Sequence, residues 1–325
     1  MMNRPGQTIW QMRGWRNLPG TIVALAICVI APLAMAGHPA QKNFESPQAG
    51  VDALVEAVKS DDQKMLQAIL GPHGRTLVNS GDDVADVQRR EDFVREYNEA
   101  SKIVLDGETR ATLMIGYDEW PLPIPLVKHG ERWHFDTVQG EKEILARRVG
   151  ANELAAIQVC LAIVDAENDY SEQVRSGDGV SRYAARFLST PGKQDGLYWE
   201  TQGGGPESPL GPLLAAAASE GYTKSEIRPL APYHGYYYKI LTSQGANASG
   251  GAYDYLVKGR MIGGFAVLAY PARYGASGVM SFMVNHEGVV YEKNLGRNTA
   301  EAAAKLKRFD PDESWKKQQA LASRD

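Results

Sequence analysis

Cysteine is almost absent from this sequence of 325 residues, which contains only Cys28 and Cys160. Cys28 lies in an N-terminal segment that we expect to be removed, so the mature chain cannot form an internal disulfide. Its stability must then come from buried apolar side chains rather than from covalent cross-links. Cys160 could be a reactive nucleophile, but its neighbours in AIQVCLAIV are apolar on a predicted helix, which favours a buried, inert thiol.

The sequence also lacks the motifs of common catalysts and metal sites. No two of its six histidines are four residues apart on a predicted helix, which argues against a structural zinc site. The loop GGGPESPLGP lacks the Lys-[Ser/Thr] pair of a phosphate-binding P-loop. Asp310, Asp312 and Glu313 lack the alternation and the glycine of a calcium loop, so we interpret them as a solvated acidic turn. We predict no metal and no cofactor.

An excess of positive charge is missing as well. The formal net charge is −4, and removal of Arg4, Arg13 and Arg16 with the N-terminal segment would bring it to about −7. A mildly acidic chain has no general attraction for nucleic acid or anionic lipid. Beyond Ala36 we identify no run long and apolar enough to predict a membrane span.

The N-terminus has the pattern of an export signal. Three arginines and no acid precede the apolar run TIVALAICVIAPLAMA, which ends in Ala34-Met35-Ala36. Small residues at positions −3 and −1 predict cleavage after Ala36, with an uncleaved anchor as the alternative. We therefore expect residues 1–36 to be a signal peptide and the mature protein to be periplasmic.

The mature chain is long enough for two domains with separate cores. After a linker at 37–45 we predict an N-terminal domain at 46–148, a second domain at 149–309 and a polar C-terminal tail at 310–325. The junction between the two domains is expected near Gly150. The whole reads as an α+β protein, since runs of helices are followed by runs of strands in each half.

The first half begins with predicted helices. Ser46 is a good N-cap and Pro47 suits the first helical position, before an apolar stripe at helical spacing formed by Val51, Leu54, Val55 and Val58. A second helix is predicted over 63–70, with Gly71 at its end. A third is predicted over 86–100, with three residues toward the core: Val87, Val94 and Tyr97.

A curved sheet is predicted to follow these helices. Strands are expected at 111–117, 124–128 and 132–138, and His129-Gly130 is expected to make a tight hairpin between the last two. The proline-rich segment EWPLPIP predicts an edge or a bulge, because proline cannot donate to a strand ladder. This order of elements resembles the nuclear transport factor 2-like architecture, in which a curved sheet wraps a helix into a cone and leaves a pocket.

The second half begins with a long predicted helix over 151–174, and a short helix and a turn are expected within 180–199. A small-residue helix is predicted from PLGPLLAAAASEGY, followed by four strands in GYYYKILTSQG, GFAVLAYPARYG, GVMSFMVNH and GVVYEKNLG. Asn285 to Gly288 is the predicted turn between the last two strands. Residues 316–325 are polar and are expected to fray.

Residues 152–296 resemble the globular part of type IV pilins and type II secretion pseudopilins. The resemblance is carried by Ala269-Tyr270-Pro271, Gly278, Phe282-Met283-Val284 and Gly288-Val289-Val290. It implies a long helix wrapped by an antiparallel meander.

The whole mature chain more closely resembles a bacterial exported family known only as domain of unknown function 2950. The strings that carry this resemblance run from Phe44 to Trp315 and include FESPQAGVDALVEAV, WPLPIPLVKHGERWHFDT, TPGKQDGLYW, PYHGYYYKIL and VNHEGVVYEKNLG. The resemblance implies a periplasmic protein of a Gram-negative bacterium. It supplies no catalytic residue, cofactor or substrate.

His134 and Asp136 are the candidate catalytic pair. Two residues apart on a predicted strand, they would share one face, and a histidine beside a carboxylate can act as a general base. Simple alternation of polar and aromatic residues explains the same pattern without catalysis. No nucleophile is identifiable beside them, so the pattern alone does not point to a reaction.

The segment PYHGYYYKIL is the candidate binding cluster, with Tyr233, His234 and Tyr237, and His286 on the later turn, as possible ligand-binding residues. An aromatic platform for a glycan or peptide is one interpretation. We favour the other, strand packing, because consecutive tyrosines point to opposite faces of a strand.

Three functions remain open at the level of sequence. The first is a periplasmic binding or envelope-assembly protein, whose partner is an envelope protein or a small ligand held in the cone. The second is a hydrolase or isomerase that uses His134 and Asp136. The third is a secretion or filament accessory that borrows the pilin fold. We favour the first, and more generally a non-enzymatic protein, because the sequence offers no complete catalytic constellation.

Overall fold

The computed structural model describes residues 41–173, 179–201, 205–222 and 231–318. The predicted signal peptide and its cleavage site at Ala36 lie outside these residues. His38–Asp325 form one compact unit that contains two separate clusters of buried apolar side chains. The proposed division of this unit into two domains at 148/149 stays a prediction.

Four helices open the N-terminal half: α1 (Pro47–Lys59), α2 (Gln63–Leu70), α3 (Gly74–Val78) and α4 (Asp83–Glu99). Ser46, Asp62 and Asp82 cap α1, α2 and α4, because each side chain accepts a hydrogen bond from the backbone N–H three residues later. The predicted start of the first helix and the predicted end of the second are confirmed.

Five strands follow: β1 (Ser101–Asp106), β2 (Arg110–Ile115), β3 (Trp120–Pro121), β4 (Leu126–His129) and β5 (Arg132–Phe135). They form an antiparallel sheet in the order β1-β2-β4-β5, with β3 added to β2. Gly130 has a φ of 62° in the turn between β4 and β5, which confirms the hairpin. The sequence did not predict β1, because this strand is exposed along nearly its whole length and has no apolar alternation.

Helix α5 (Thr137–Gln173) begins well before the position that the sequence predicted. Residues 136–138 were expected to continue a strand, but the side chain of Asp136 accepts a hydrogen bond from the N–H of Gln139 and caps the helix instead. The helix then runs without a break across the predicted junction. By length and composition it is apolar enough to cross a membrane, but 44% of its most apolar stretch is buried, and core helices of soluble proteins meet the same criterion.

The rest of the C-terminal half consists of many short elements: α6 (Gly211–Ser219), β6 (Tyr236–Leu241), β7 (Ser243–Gln244), β8 (Tyr253–Asp254), β9 (Leu256–Val257), β10 (Arg260–Met261), β11 (Ala266–Pro271), β12 (Ser281–Asn285), β13 (Tyr291–Lys293), α7 (Thr299–Lys305) and β14 (Lys316–Lys317). The main sheet is antiparallel in the order β14-β13-β12-β11-β6, and α5 packs on β11 and β12. This arrangement of a long helix and a meander of strands confirms the α+β class.

Two local predictions in this half are wrong. Residues 180–199 contain no helix, because their backbone forms isolated strand bridges: Tyr183 pairs with the distant Met261, and Leu188 pairs with Tyr198 within the segment. The polar tail does not fray at residues 316 and 317, because β14 adds to the main sheet beside the buried Trp315, whereas 319–325 lie outside the described residues. The tyrosine-rich strand is confirmed as β6, with Tyr236 fully buried.

The two apolar clusters differ in position. In the N-terminal half, α1 and α2 pack on the sheet through side chains that include Leu54, Ile69 and Phe135. In the C-terminal half, α5 packs on the main sheet and buries Cys160, as predicted, and burial raises the pKa of its thiol to about 12. A thiol with that pKa stays protonated and inert at neutral pH.

Helix α4 contributes no fully buried apolar side chain to either cluster. Only Asp86 among its residues is buried, and Val87, which was predicted to face the core, is 44% exposed. Its apolar residues Phe93 and Tyr97 are half-buried and pack against the edge of the N-terminal cluster. The helix therefore lies over the N-terminal sheet without closing on it.

Candidate functional site

A cavity of about 710 Å³ lies beneath α4. Its floor is apolar and is made by residues from α1, α2, β2, the segment after β3 and the start of α5: Leu54, Leu66, Leu70, Ile115, Leu122, Ile124 and Ile144. This volume falls in the range of pockets that hold small-molecule ligands, which are mostly apolar with a few polar groups.

The roof of the cavity is α4, and its polar side chains form the rim. Arg89 donates to Asp86 at 2.9 Å, and the Nε of Arg90 lies 3.1 Å from the carboxylate of Asp61. Arg95 forms an ion pair with Asp92 on the same helix. Each of these rim cations therefore already has a carboxylate partner.

Arg148 on α5 is the fourth arginine that lines the cavity. Its two terminal nitrogens donate to the backbone carbonyls of Thr76, at 2.8 Å, and of Leu77, which are the last turn of α3. The side chain is 8% exposed, its Nε–H has no hydrogen-bond partner, and no carboxylate in the described parts of the chain forms a salt bridge with it.

The charge of Arg148 is nevertheless retained. Burial lowers its pKa to about 10, the cation of Arg89 adds to this decrease, and the carboxylate of Asp86 opposes it. A guanidinium with a pKa near 10 is protonated throughout the physiological range. The cavity thus has an apolar floor and one buried positive charge.

The roof helix is attached to the C-terminal half at its N-terminus. The carboxylate of Asp82, which caps α4, also accepts hydrogen bonds from the hydroxyl of Tyr222 at 2.9 Å and from the N–H of Gly235 at 2.7 Å. Asn152 on α5 extends this contact, because it donates to the carbonyl of Ser277 and lies within 3.4 Å of Arg89. A single carboxylate therefore fixes the start of the roof to the second half.

A second depression of about 870 Å³ is lined by residues of the segments 188–201 and 205–214. Its lining mixes apolar residues such as Pro191 and Tyr198 with polar residues such as Lys193 and Gln194. It borders 202–204, which lie outside the described residues. The cavity under α4, whose walls are described throughout, is the better-defined candidate site.

The candidate catalytic pair does not line this cavity. His134 lies on β5, whereas the strand ends before Asp136, so the two residues do not share a strand face as predicted. Asp136 is engaged as the cap of α5, and no hydrogen bond joins it to His134 in the part of the chain that is described. A catalytic role for the pair stays a prediction.

The candidate aromatic residues divide into separate groups. The rings of Tyr233 and His234 lie 4.1 Å apart, and His234 lies 3.3 Å from the carboxylate of Glu220. Tyr237 instead packs beside Tyr270 on the neighbouring strand, with ring centroids 5.5 Å apart.

His286 lies at the other end of the sheet. At one end of the main sheet, Tyr236 pairs with Pro271. At the other end, Ala266 pairs with Leu241 and with Asn285, the residue before His286. His286 is packed near Tyr255 and Phe265, and its Nδ1 is buried without a hydrogen-bond partner. The N–H of Gly288 donates to the carbonyl of Asn285, which confirms the predicted turn. The four residues therefore do not converge on one site.

Sequence reasoning missed the residues that form the cavity. Arg148 follows Ile144 by four residues, so both lie on one helical face, and an arginine on the apolar face of a helix is a usable signal. That signal depended on recognising 137–150 as helical. Within the described residues no group of three or more histidine, cysteine or acidic side chains could hold a metal ion.

Comparison with known families gave one result. The model described as "Protein of unknown function (DUF2950)" matches residues 41–318, so the chain belongs to this family. The comparison with curated proteins found no match, and neither did the comparison with solved structures.

Proposed function

We propose that this DUF2950 protein is an exported, non-enzymatic binding module that holds an amphipathic ligand in the cavity under α4. The observation that carries the proposal is the cavity of about 710 Å³, which combines an apolar floor, a polar rim on one helix and a buried cation. This combination is typical of ligand sites, in which apolar walls contribute affinity and a few polar groups fix orientation.

Two of the five acidic side chains that line the cavity, Asp86 and Asp92, are already paired, which favours binding over catalysis at these two positions. Asp86, the buried carboxylate on the rim, accepts hydrogen bonds from the N–H of Ser80 and from Arg89, so it is held as an ion-paired acceptor. A general base needs an accessible lone pair within reach of a substrate proton. Asp92 is likewise paired, with Arg95. The hydrolase or isomerase hypothesis gains no support from these contacts.

Export is proposed from the N-terminal signal pattern, and a periplasmic location follows from it. The decisive measurement is the mass of the protein recovered from a periplasmic extract, which should correspond to a chain that begins at Gly37. A chain that retains residues 1–36 would overturn this part of the proposal. The secretion or filament accessory role stands on the resemblance to pilins and stays a prediction.

Binding is tested with a neutral fluorophore, N-phenyl-1-naphthylamine, whose emission rises in apolar surroundings. Val78 lines the cavity and is half-buried, so Val78→Trp should fill the space from its edge. We expect this variant to lose at least tenfold in probe affinity. The matched control is Val104→Trp on β1, because Val104 is exposed and does not line the cavity. The proposal is wrong if the wild-type protein does not bind the probe or if both variants lose affinity equally.

A further inference from the structure

We infer that the ligand is a single-chain amphiphile with an oxyanion headgroup, and that Arg148 binds this headgroup while the chain lies on the apolar floor. The inference rests on the proposed binding function and adds the charge and the orientation of the ligand. Three observations at Arg148 carry it: its burial, the absence of a carboxylate partner and its unused hydrogen-bond donors.

Burial without a counter-charge is the first argument. Moving an ionised side chain out of water is costly unless an opposite charge or several hydrogen bonds compensate it. Among the described residues that line the cavity, the rim arginines Arg89, Arg90 and Arg95 each have a carboxylate within ion-pair distance, but Arg148 has only two carbonyl oxygens. An anionic ligand would supply the missing charge at this position.

Donor capacity is the second argument. A guanidinium has five N–H donors in a planar fork. Two terminal nitrogens of Arg148 donate to Thr76 and Leu77, and the Nε–H donates to nothing. Carboxylate and phosphate oxygens match the geometry of this fork, which makes arginine the preferred residue for such groups. The Nε–H is enclosed by protein, but each terminal nitrogen carries a second N–H that can bind an oxyanion without loss of the contacts to α3.

A purely structural role explains only part of this geometry. Arg148 stabilises the C-terminal end of α3 by binding its last carbonyl groups, as basic side chains commonly do. That role accounts for the two occupied donors. It does not account for a cation that lines an apolar cavity and lacks a carboxylate partner, because the carbonyls of a helix end can be reached by a surface side chain that stays hydrated.

The neighbouring groups favour one end of the cavity for the headgroup. Asp86 is the carboxylate whose charge opposes the decrease in the pKa of Arg148. Its oxygens already accept hydrogen bonds from Arg89 and from the N–H of Ser80. The floor side chains near α1 and β2, such as Leu54 and Ile115, offer no polar atom to a ligand. An aliphatic chain fits this floor, and an anionic headgroup fits best beside Arg148, the lining arginine without a salt-bridge partner among the described residues.

The first experiment varies the ligand and needs no mutant. Dodecanoate, dodecyl phosphate, methyl dodecanoate, dodecanol and dodecylamine are titrated against the bound naphthylamine probe. We expect dodecanoate or dodecyl phosphate to bind at least tenfold more tightly than the neutral ester and alcohol, and dodecylamine to bind most weakly. The ratio of the two anions tells a carboxylate ligand from a phosphate ligand.

The second experiment varies the protein. Arg148→Met keeps much of the side-chain volume and removes the charge, so it should abolish the tenfold preference for dodecanoate over its methyl ester. Affinity for the neutral probe should change little. The matched control is Arg147→Met, which removes an exposed cation of the same helix that is paired with Glu143 and does not line the cavity, and it should leave the preference intact. If Arg148→Met does not fold, Arg148→Lys keeps the charge, loses the fork and should weaken the preference partly.

The outcomes separate this inference from the proposed function. If the probe binds and the ester competes as well as dodecanoate, the ligand is not selected by charge, and the inference falls while the binding function stands. A preference for anions that persists in Arg148→Met, or that is lost equally in Arg147→Met, would show that Arg148 does not select the headgroup and would also overturn the inference. If the probe does not bind at all, the proposed function fails first.

Discussion

Helix α5 buries one basic side chain, Arg148, and one acidic side chain, Glu167, and their surroundings have opposite effects on charge. Arg148 in the N-terminal half keeps its charge beside a cavity, whereas Glu167 in the C-terminal half is fully enclosed by protein. One Glu167 oxygen accepts a hydrogen bond from the N–H of Ala184 at 2.7 Å, and the other has no partner among the described residues. Burial raises the pKa of Glu167 to about 8, so this carboxyl is mostly neutral at pH 7.

The apolar cores of the two halves also differ in their internal space. Inside the C-terminal core the cavity between α5, α6 and β6, lined by residues such as Ile163 and Leu214, measures about 50 Å³. The cavity beside Arg148 measures about 710 Å³. The tightly packed C-terminal core keeps Glu167 mostly neutral. The open cavity of the N-terminal half leaves room for a ligand beside the charged Arg148. The difference supports the proposal that the N-terminal half holds the ligand and that the C-terminal half supports it.

The largest expected effects come from removing one aromatic ring from each core. Phe135→Ala and Phe282→Ala should each cost about 3–5 kcal/mol of unfolding free energy, because both rings are almost completely buried. If the cores are independent, hydrogen exchange in Phe135→Ala should rise in β1, β2, β4 and β5 while β6, β11 and β12 stay protected. Phe282→Ala is the reciprocal control. Equal loss of protection in both sheets would show one cooperative unit and remove the basis for the comparison.

A smaller effect is expected at the contact between the halves. Asp82→Ala removes the cap of α4 together with the hydrogen bonds to Tyr222 and Gly235, and should cost about 3 kcal/mol in denaturant unfolding. Asp62→Ala removes only the exposed cap of α2 and should cost about 1 kcal/mol. Equal losses in the two variants would mean that the contacts to the C-terminal half contribute nothing.

Glu167 should make stability depend on pH. Its pKa is raised in the folded protein, so the folded state binds a proton that the unfolded state releases above pH 4.5. Its contribution is therefore complete below that pH and is lost as the pH rises toward 8, by up to about 1.4 kcal/mol for each pH unit. Glu167→Gln should remove this slope between pH 5 and 8. Tyr183, whose pKa is raised by burial and then by Glu167, titrates above this interval. An unchanged slope in the variant would exclude Glu167 as its source.

The smallest effect is a gain in stability. Gly150 lies in the middle of α5, and a Cβ built there meets no atom within 4 Å, so Gly150→Ala should stabilise the protein by about 0.5–1 kcal/mol. Gly140 on the same helix is the control with the opposite sign, because its Cβ would lie 2.5 Å from the carbonyl oxygen of Pro123. Thermal unfolding measures both. A loss of stability in Gly150→Ala would mean that the helix is interrupted between the two halves.

Much of the fold could be predicted from local signals. The caps at Ser46 and Gly71, the hairpin at Gly130 and the tyrosine strand each follow from one or two residues with a strong conformational preference. The start of α5 could not be predicted in this way, because Arg132 to Val138 has the alternation of a strand and only the side chain of Asp136 turns the chain into a helix. Competition between a strand pattern and a cap is decided by packing, which a single sequence does not reveal.

The candidate site was harder to predict than the fold. The sequence drew attention to histidines and tyrosines, which are rich in chemistry but lie on strands, turns and the C-terminal core. The cavity is instead made by ordinary leucines and isoleucines, which read as core in any sequence. The position of α4 over these residues turns them into the lining of a cavity. The presence of a pocket in the N-terminal half could therefore be predicted from the sequence, but the residues that line it could not.

The continuity of α5 also limits how the chain can change length. One residue inserted near Gly150 would advance the following segment by about 1.5 Å and rotate it by about 100° about the helix axis. Cys160 and Ile163 would then turn away from the main sheet, while Arg148 kept its place under the roof. The number of residues between Arg148 and Cys160 is therefore fixed, because any change would move one of the two side chains out of its place. Insertions and deletions belong in the surface loops.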